Sequence, residues 1–276
     1  MSRSLLKLVV VAFVYLSHGS QAKSCKGWAK YTLTFQGEWS SASHPKDFPS
    51  DPHFSSLVGC SHKSTYVMWT PGKKASQGVQ NVAETGAFSV LESEMDTQIS
   101  SKNAHKRYRR PTIRPGTAKQ TIPDIEVTSE YPLVSFITMI APSPDWFVGV
   151  HDYDLCNRTS GEWLDSRARD LPPYDAGTDS GLTFKSPNDP TSPHVNIHIL
   201  TNNTEGSFKG DKPVKRFGTF TFTKTSENTT ALPTEKTTKN TTGNTTENPT
   251  GTANPCTNFN VSLFLMLCFL NIIRIL

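Results

Sequence analysis

The segment Leu133–Ala141, LVSFITMIA, is a near-continuous apolar run in which only Ser135 and Thr138 are polar. Such a run suits a central strand buried on both faces. Working outward, Tyr31, Leu33 and Phe35 alternate with Lys30, Thr32 and Thr34, the pattern of a half-buried strand. Residues 146–150, 195–200 and 218–223 add further strand signals, the last with Phe220 and Phe222 alternating against threonines. Pro and Gly punctuate the intervals between them. One stretch differs: Val79 and Val82, then Phe88, Leu91, Met95 and Ile99, recur at helical spacings of three and four, with Gly86 as a break. Together these signals predict a mainly β chain, an antiparallel β-sandwich with a helical insertion, over residues 23–223.

Both ends read as targeting segments. Residues 1–22 place Arg3 and Lys7 ahead of an apolar run from Leu8 to Leu16 and close on Ser20-Gln21-Ala22. That is the layout of a secretory signal peptide cleaved after Ala22; the run is about half the roughly 20 residues a bilayer span needs. Residues 256–276 read as a hydrophobic GPI-attachment signal, with Gly251 and Ala253 as candidate attachment positions. The alternative, a short single-pass anchor, is made poorer by Asn271 and Arg274. Between the two, residues 224–255 are Thr, Asn, Glu, Lys and Pro with almost no apolar side chain, which predicts an extended, solvated stalk. Asn228, Asn240 and Asn244 in the stalk, and Asn157 and Asn202 in the domain, are N-glycosylation sequons. The expected location is therefore extracellular, at the cell surface, with a lipid anchor in the membrane.

The formal charge of +4 shrinks accordingly. Removal of Arg3, Lys7 and Arg274 leaves 25 basic residues of 28 against 24 acidic ones, a net +1, so nucleic acid is not an expected partner. Seven basic residues nevertheless fall between Lys102 and Lys119 without an intervening carboxylate. This stretch reads as a loop in which Lys106, Arg107, Arg109, Arg110 and Arg114 could take an anionic ligand; a merely solvated loop is the plainer reading.

In an oxidising compartment Cys25 and Cys156 suit a staple for the first strand, although pairing of Cys25 with Cys60 remains open from the count alone. Asp145 occupies the turn Pro142-Ser143-Pro144-Asp145-Trp146, and Asp175 and Asp179 lie in YDAGTDSG, where Gly177 and Gly181 let the backbone fold around a cation. Carboxylates on two such loops suit a hard cation, calcium in extracellular fluid; they equally suit turn capping. Histidines 44, 53, 62, 151, 194 and 198 are scattered, and no nucleophile elbow or zinc spacing occurs, so no enzyme is expected.

Six blocks resemble one family: AKYTLTFQGEW (29–39), SLVGCSH (56–62), YVMW (66–69), PSPDWFVGV (142–150), DLC (154–156) and PPYDAGTDSGLTFKSPN (172–188). They are similar to the spondin domain of F-spondin and mindin, over about 25–223. The resemblance implies a C2-like β-sandwich, a calcium ion at one end held by Asp145, Asp175 and Asp179, and a disulfide between Cys25 and Cys156. Cys60 departs from the family, whose members carry a small residue there. No thrombospondin type 1 repeat follows the domain, so the contacts made by such repeats do not carry over. The expected function is a calcium-binding adhesion or recognition head for a cell-surface receptor, matrix protein or glycan. The alternatives are an innate-immune receptor for microbial glycans and a structural matrix component.

Overall fold

The computed structural model describes residues 22–230. Most of the segment read as a signal peptide, most of that read as a stalk, with Asn240 and Asn244, and that read as an attachment signal, with the candidate positions Gly251 and Ala253 before it, lie outside them. In chain order the elements are β1 (Trp28–Gly37), β2 (His53–Phe54), β3 (Leu57–His62), α1 (Gln77–Thr85), α2 (Ser89–Ser100), β4 (Ala104–Arg110), β5 (Lys119–Thr128), β6 (Leu133–Ala141), β7 (Trp146–Asp154), β8 (Cys156–Asn157), β9 (Glu162–Trp163), β10 (Ser166–Leu171), β11 (Tyr174–Asp175), β12 (His198–Ile199) and β13 (Gly218–Asn228).

Four strands in the order β10-β13-β1-β5 form one sheet; β12-β11-β7-β6-β3-β4, with β2 added beside β6, form the other. Every pairing is antiparallel. The alternation in β1 puts Tyr31, Leu33 and Phe35 into the core between the sheets, where they meet Val134, Phe136 and Ile140 of β6 and Phe220 and Phe222 of β13. All nine residues of β6 are buried because a second apolar layer lies on its other face. There Ile137 joins Phe147 and the helix residues Val79, Val82, Leu91 and Met95. The nearly unbroken hydrophobicity of LVSFITMIA thus reflects three layers: sheet, sheet and helix pair.

The helical insertion breaks at Gly86, which caps α1 in the left-handed conformation (φ 71°) and donates to Val82 O, while the Ser76 side chain accepts from Val79 N at the other end. Cys25 and Cys156 form the disulfide, with Cα atoms 5.7 Å apart, tying the lead-in to β1 onto β8. Cys60 is free and buried on β3, which resolves the pairing left open by the cysteine count.

Three sequence expectations need correction. The strand expected over 195–200 reduces to the exposed pair His198–Ile199, since the chain around it is held by isolated loop hydrogen bonds. The final strand does not stop at 223: Lys224 to Asn228 pair with β1, so the ordered sheet enters the segment read as stalk and Asn228 ends a strand. The basic stretch from Lys102 is no loop. Ala104–Arg110 is an edge strand on β3 and Lys119 opens β5, because antiparallel pairing to Leu57–His62 overrides the loop-like composition.

Candidate functional site

The aspartates meet where β7 begins. Pairing of β11 with β7 sets Asp175 opposite Trp146, so that Asp145 and Asp175 become neighbours across two strands 30 residues apart in sequence. Gly177, at φ +77°, then turns the chain back; a Cβ there would lie 2.4 Å from Val195 O. The turn delivers a set of donors onto Asp145, whose Oδ2 accepts from Thr178 N (2.7 Å), Thr178 Oγ1 (3.2 Å) and Asp179 N (3.1 Å). Its Oδ1 is buried and has no hydrogen-bond partner. Asp175 Oδ1 accepts from Gly177 N (2.7 Å) and lies 3.8 Å from His198 Nδ1. The Asp179 carboxylate accepts from Gly181 N (2.8 Å) and Asp189 N (3.3 Å).

Burial governs the electrostatics. It pushes the Asp145 carboxyl well above the usual carboxylate range, and the neighbouring Asp175 charge adds to the rise, against the three donated hydrogen bonds. Burial likewise raises Asp175, with His198 partly offsetting it. Two desolvated carboxylates side by side, one with an orphaned oxygen, form an electrostatic deficit that a cation would relieve. A cleft of about 290 Å³ opens beside them, lined by Asp175, Asp179, Trp146 and His198. Among the described residues no three acidic, His or Cys side chains converge closely enough to hold a metal as they stand. Asp179 is the member held back, its carboxylate capping its own loop. Asp145 and Asp175 fit a hard cation directly, whereas Asp179 fits through the lone pairs its amide bonds leave free.

The basic residues form a different picture from the one expected. Arg107 is engaged by Glu92 (2.9 Å) and Asp96 (2.7 Å) of α2, and Arg109 by Glu92 (3.1 Å) while stacking over the Phe88 ring. Lys106 pairs with Glu126 (2.7 Å), and Arg114 with Asp51. Of these candidate anion-binding residues, Arg110 alone has no carboxylate partner among the described residues; its Nε donates to Thr121 O (2.9 Å). A stretch without acidic residues in sequence is therefore largely neutralised in space. Asn157 and Asn202, the sequons of the domain, lie near its surface; Asn157 Oδ1 caps the turn that follows it, and Asn202 donates to Gly210 O (3.1 Å).

Sequence reading counted His198 only among scattered histidines and overlooked Thr178 and a lysine-rimmed cleft at residues 42–46 and 207–215. The run Lys209 to Lys215, with three lysines, was the available signal for the cleft.

Fold and site together define an antiparallel β-sandwich with a helix pair on one sheet and an acidic end built from two loops. The family model Spondin_N matches residues 29–210, and the chain belongs to the spondin-domain family. It is 42% identical over 183 residues to chicken (Gallus gallus) Spondin-1, covering 63% of this chain and 22% of that protein. To human Spondin-2 it is 40% identical over 190 residues, 67% of this chain and 56% of that one. The chain thus spans only a part of the curated relatives it matches. Among the described residues no helix is long and apolar enough to cross a membrane.

Proposed function

We propose that this chain is a cell-surface adhesion or recognition protein whose spondin sandwich is the binding head and whose loop end is set by calcium. The observation that carries the calcium reading is the orphaned Oδ1 of Asp145, fully buried beside Asp175. Asp145, Asp175 and Asp179 would hold the ion, with loop carbonyls and water completing the six to eight oxygens calcium takes. Bound calcium supplies fixed positive charge there. The chain's own part is to hold the turn from Asp175 to Gly181 against the start of β7, through the amides of Thr178 and Asp179. The loops around the ion then present one surface to a receptor, matrix protein or glycan. Membership of the spondin family, the disulfide and the sequons support an extracellular setting, and the C-terminal composition supports a lipid anchor. No catalysis is part of this reading.

Thermal melting of the full-length protein in calcium and in chelator tests the proposal. A higher Tm in calcium, lost in Asp175→Asn/Asp179→Asn, is expected; equal Tm values for the wild type would end the calcium reading. Release from cells by a phosphatidylinositol-specific phospholipase tests the anchor. The alternative of microbial-glycan recognition through Arg107, Arg109 and Arg110 draws no support from side chains already engaged by Glu92, Asp96 and Thr121.

A further inference from the structure

A second cleft, of about 430 Å³, lies between the turn at residues 42–46 and the segment 207–215. That volume is within the range of small-molecule sites. Its floor is closed, since Phe184 and Phe208 are 2% and 7% exposed and pack against Trp146 with ring centroids 5.2 and 4.7 Å away, and its accessible apolar surface is that of Ala42, Pro45, Pro213 and Val214. His44 adds no free polar group, since its ring nitrogens meet Ser43 Oγ (2.9 Å) and Lys215 O (3.1 Å). The rim is cationic. Lys46, Lys209, Lys212 and Lys215 line the cleft against a single carboxylate, Asp211. Lys209 pairs with Glu205 (3.0 Å), whereas Lys46, Lys212 and Lys215 pair with no carboxylate among the described residues. This is the reverse of β4, where Lys106, Arg107 and Arg109 are matched by acids of α2 and β5.

From this juxtaposition we propose that the cleft binds a small amphiphilic carboxylate, an apolar chain or ring lying against Ala42, Pro45, Pro213 and Val214 with its anionic head among Lys46, Lys212 and Lys215. Apolar walls select against a purely hydrated polyanion, and ammonium groups without a carboxylate partner, Lys46 donating only to Lys209 O (3.4 Å), select against a neutral or cationic amphiphile. A peptide is less suited: no lining residue lies in a strand, so the cleft offers no sheet edge to pair with an extended backbone. The inference is independent of calcium, because the cleft shares no aspartate with the loop end.

Isothermal titration of the full-length protein tests it, using decanoate below its micelle concentration, decyltrimethylammonium, decyl maltoside and a sulfated heparin tetrasaccharide. Saturable binding of decanoate is expected, unchanged by chelator and stronger than that of the other three. Lys46→Gln/Lys212→Gln/Lys215→Gln should weaken it at least about tenfold, the scale of lost charge-assisted hydrogen bonds. Ala42→Trp, which fills the cleft from an exposed position and leaves the lysines intact, should abolish it, and Arg107→Gln/Arg109→Gln should leave it unchanged. Absent or non-saturable decanoate binding, equal binding of the cationic amphiphile, preference for the tetrasaccharide, or indifference to the lysine and Ala42 variants would each overturn the proposal.

Discussion

Replacing Asp145 by Asn separates the two opposed roles of that carboxylate. In metal-free protein its charge is a burden: burial and Asp175 push the pKa from 3.8 to about 7, despite hydrogen bonds from Thr178 and Asp179. At about 1.36 kcal/mol per pH unit, the ionised form then costs up to about 4 kcal/mol of folding stability above pH 7. Relaxation and water entry make this a ceiling. Asn retains an acceptor for the two amides and removes the charge. Asp145→Asn should therefore be more stable than wild type in chelator at pH 7.5, by about 2 to 4 kcal/mol in urea unfolding. The sign follows from proton linkage. A carboxyl with a raised folded-state pKa keeps its proton when the unfolded chain has lost it, so wild-type stability falls as pH rises from 3.8 to about 7 and levels off above. Subtracting the variant's pH profile isolates this slope from other titrations. Calcium should close that gap: wild type gains stability by mass action, about 2.7 kcal/mol at a hundredfold and about 4.1 kcal/mol at a thousandfold excess over Kd, and the variant gains little. A variant less stable than wild type in chelator, or one that responds to calcium as wild type does, would refute the reasoning.

Four further outcomes follow from the fold. Cys25→Ala/Cys156→Ala opens a loop with a sequence separation of 131, and the chain-entropy relation puts the loss at about 5 kcal/mol; denaturant curves shifted by less than about 1 kcal/mol would contradict it. Leu91→Ala empties a fully buried position where the helix pair meets the larger sheet and should cost about 2 to 5 kcal/mol in the same assay. Wild-type behaviour would show that the helices do not seal that face. Burial raises the Cys60 thiol and depresses the pKa of His44 and His62. Cys60 should resist thiol reagents until the protein unfolds, and Asp145→Asn/Asp175→Asn, free of both raised carboxyls, should lose stability as pH falls below about 6.5, where unfolded histidines take up protons that buried ones refuse. Rapid labelling of folded protein, or a profile flat from neutral to acid pH, would contradict these two expectations.

The elements most legible in sequence were those whose periodicity reports burial. The alternation in β1, the unbroken run of β6 and the three-and-four spacing of the helices each map onto an observed face. The fragment at 195–200 failed although Val195, Ile197 and Ile199 alternate with polar residues: only Ile197 and Leu200 are buried, while Val195 is 48% exposed and Ile199 46%, so the alternation does not report one covered face. The aspartates were legible as turn residues, but the orphaned oxygen of Asp145 was not, since it depends on the pairing of β11 with β7.

Sequence by itself determined the features that act through short local patterns: the sequons, the strand and helix periods and the Gly86 break. These need no partner from elsewhere in the chain. Tertiary structure alone decided which charges are free. It set Glu92 and Asp96 against the arginines of β4, leaving little of the apparent basic site, and gathered Lys46 with Lys212 and Lys215 around an apolar-walled cleft. The reason is that a charge acts over a few ångströms of space, whereas neighbours in a folded sandwich are often more than a hundred residues apart in sequence.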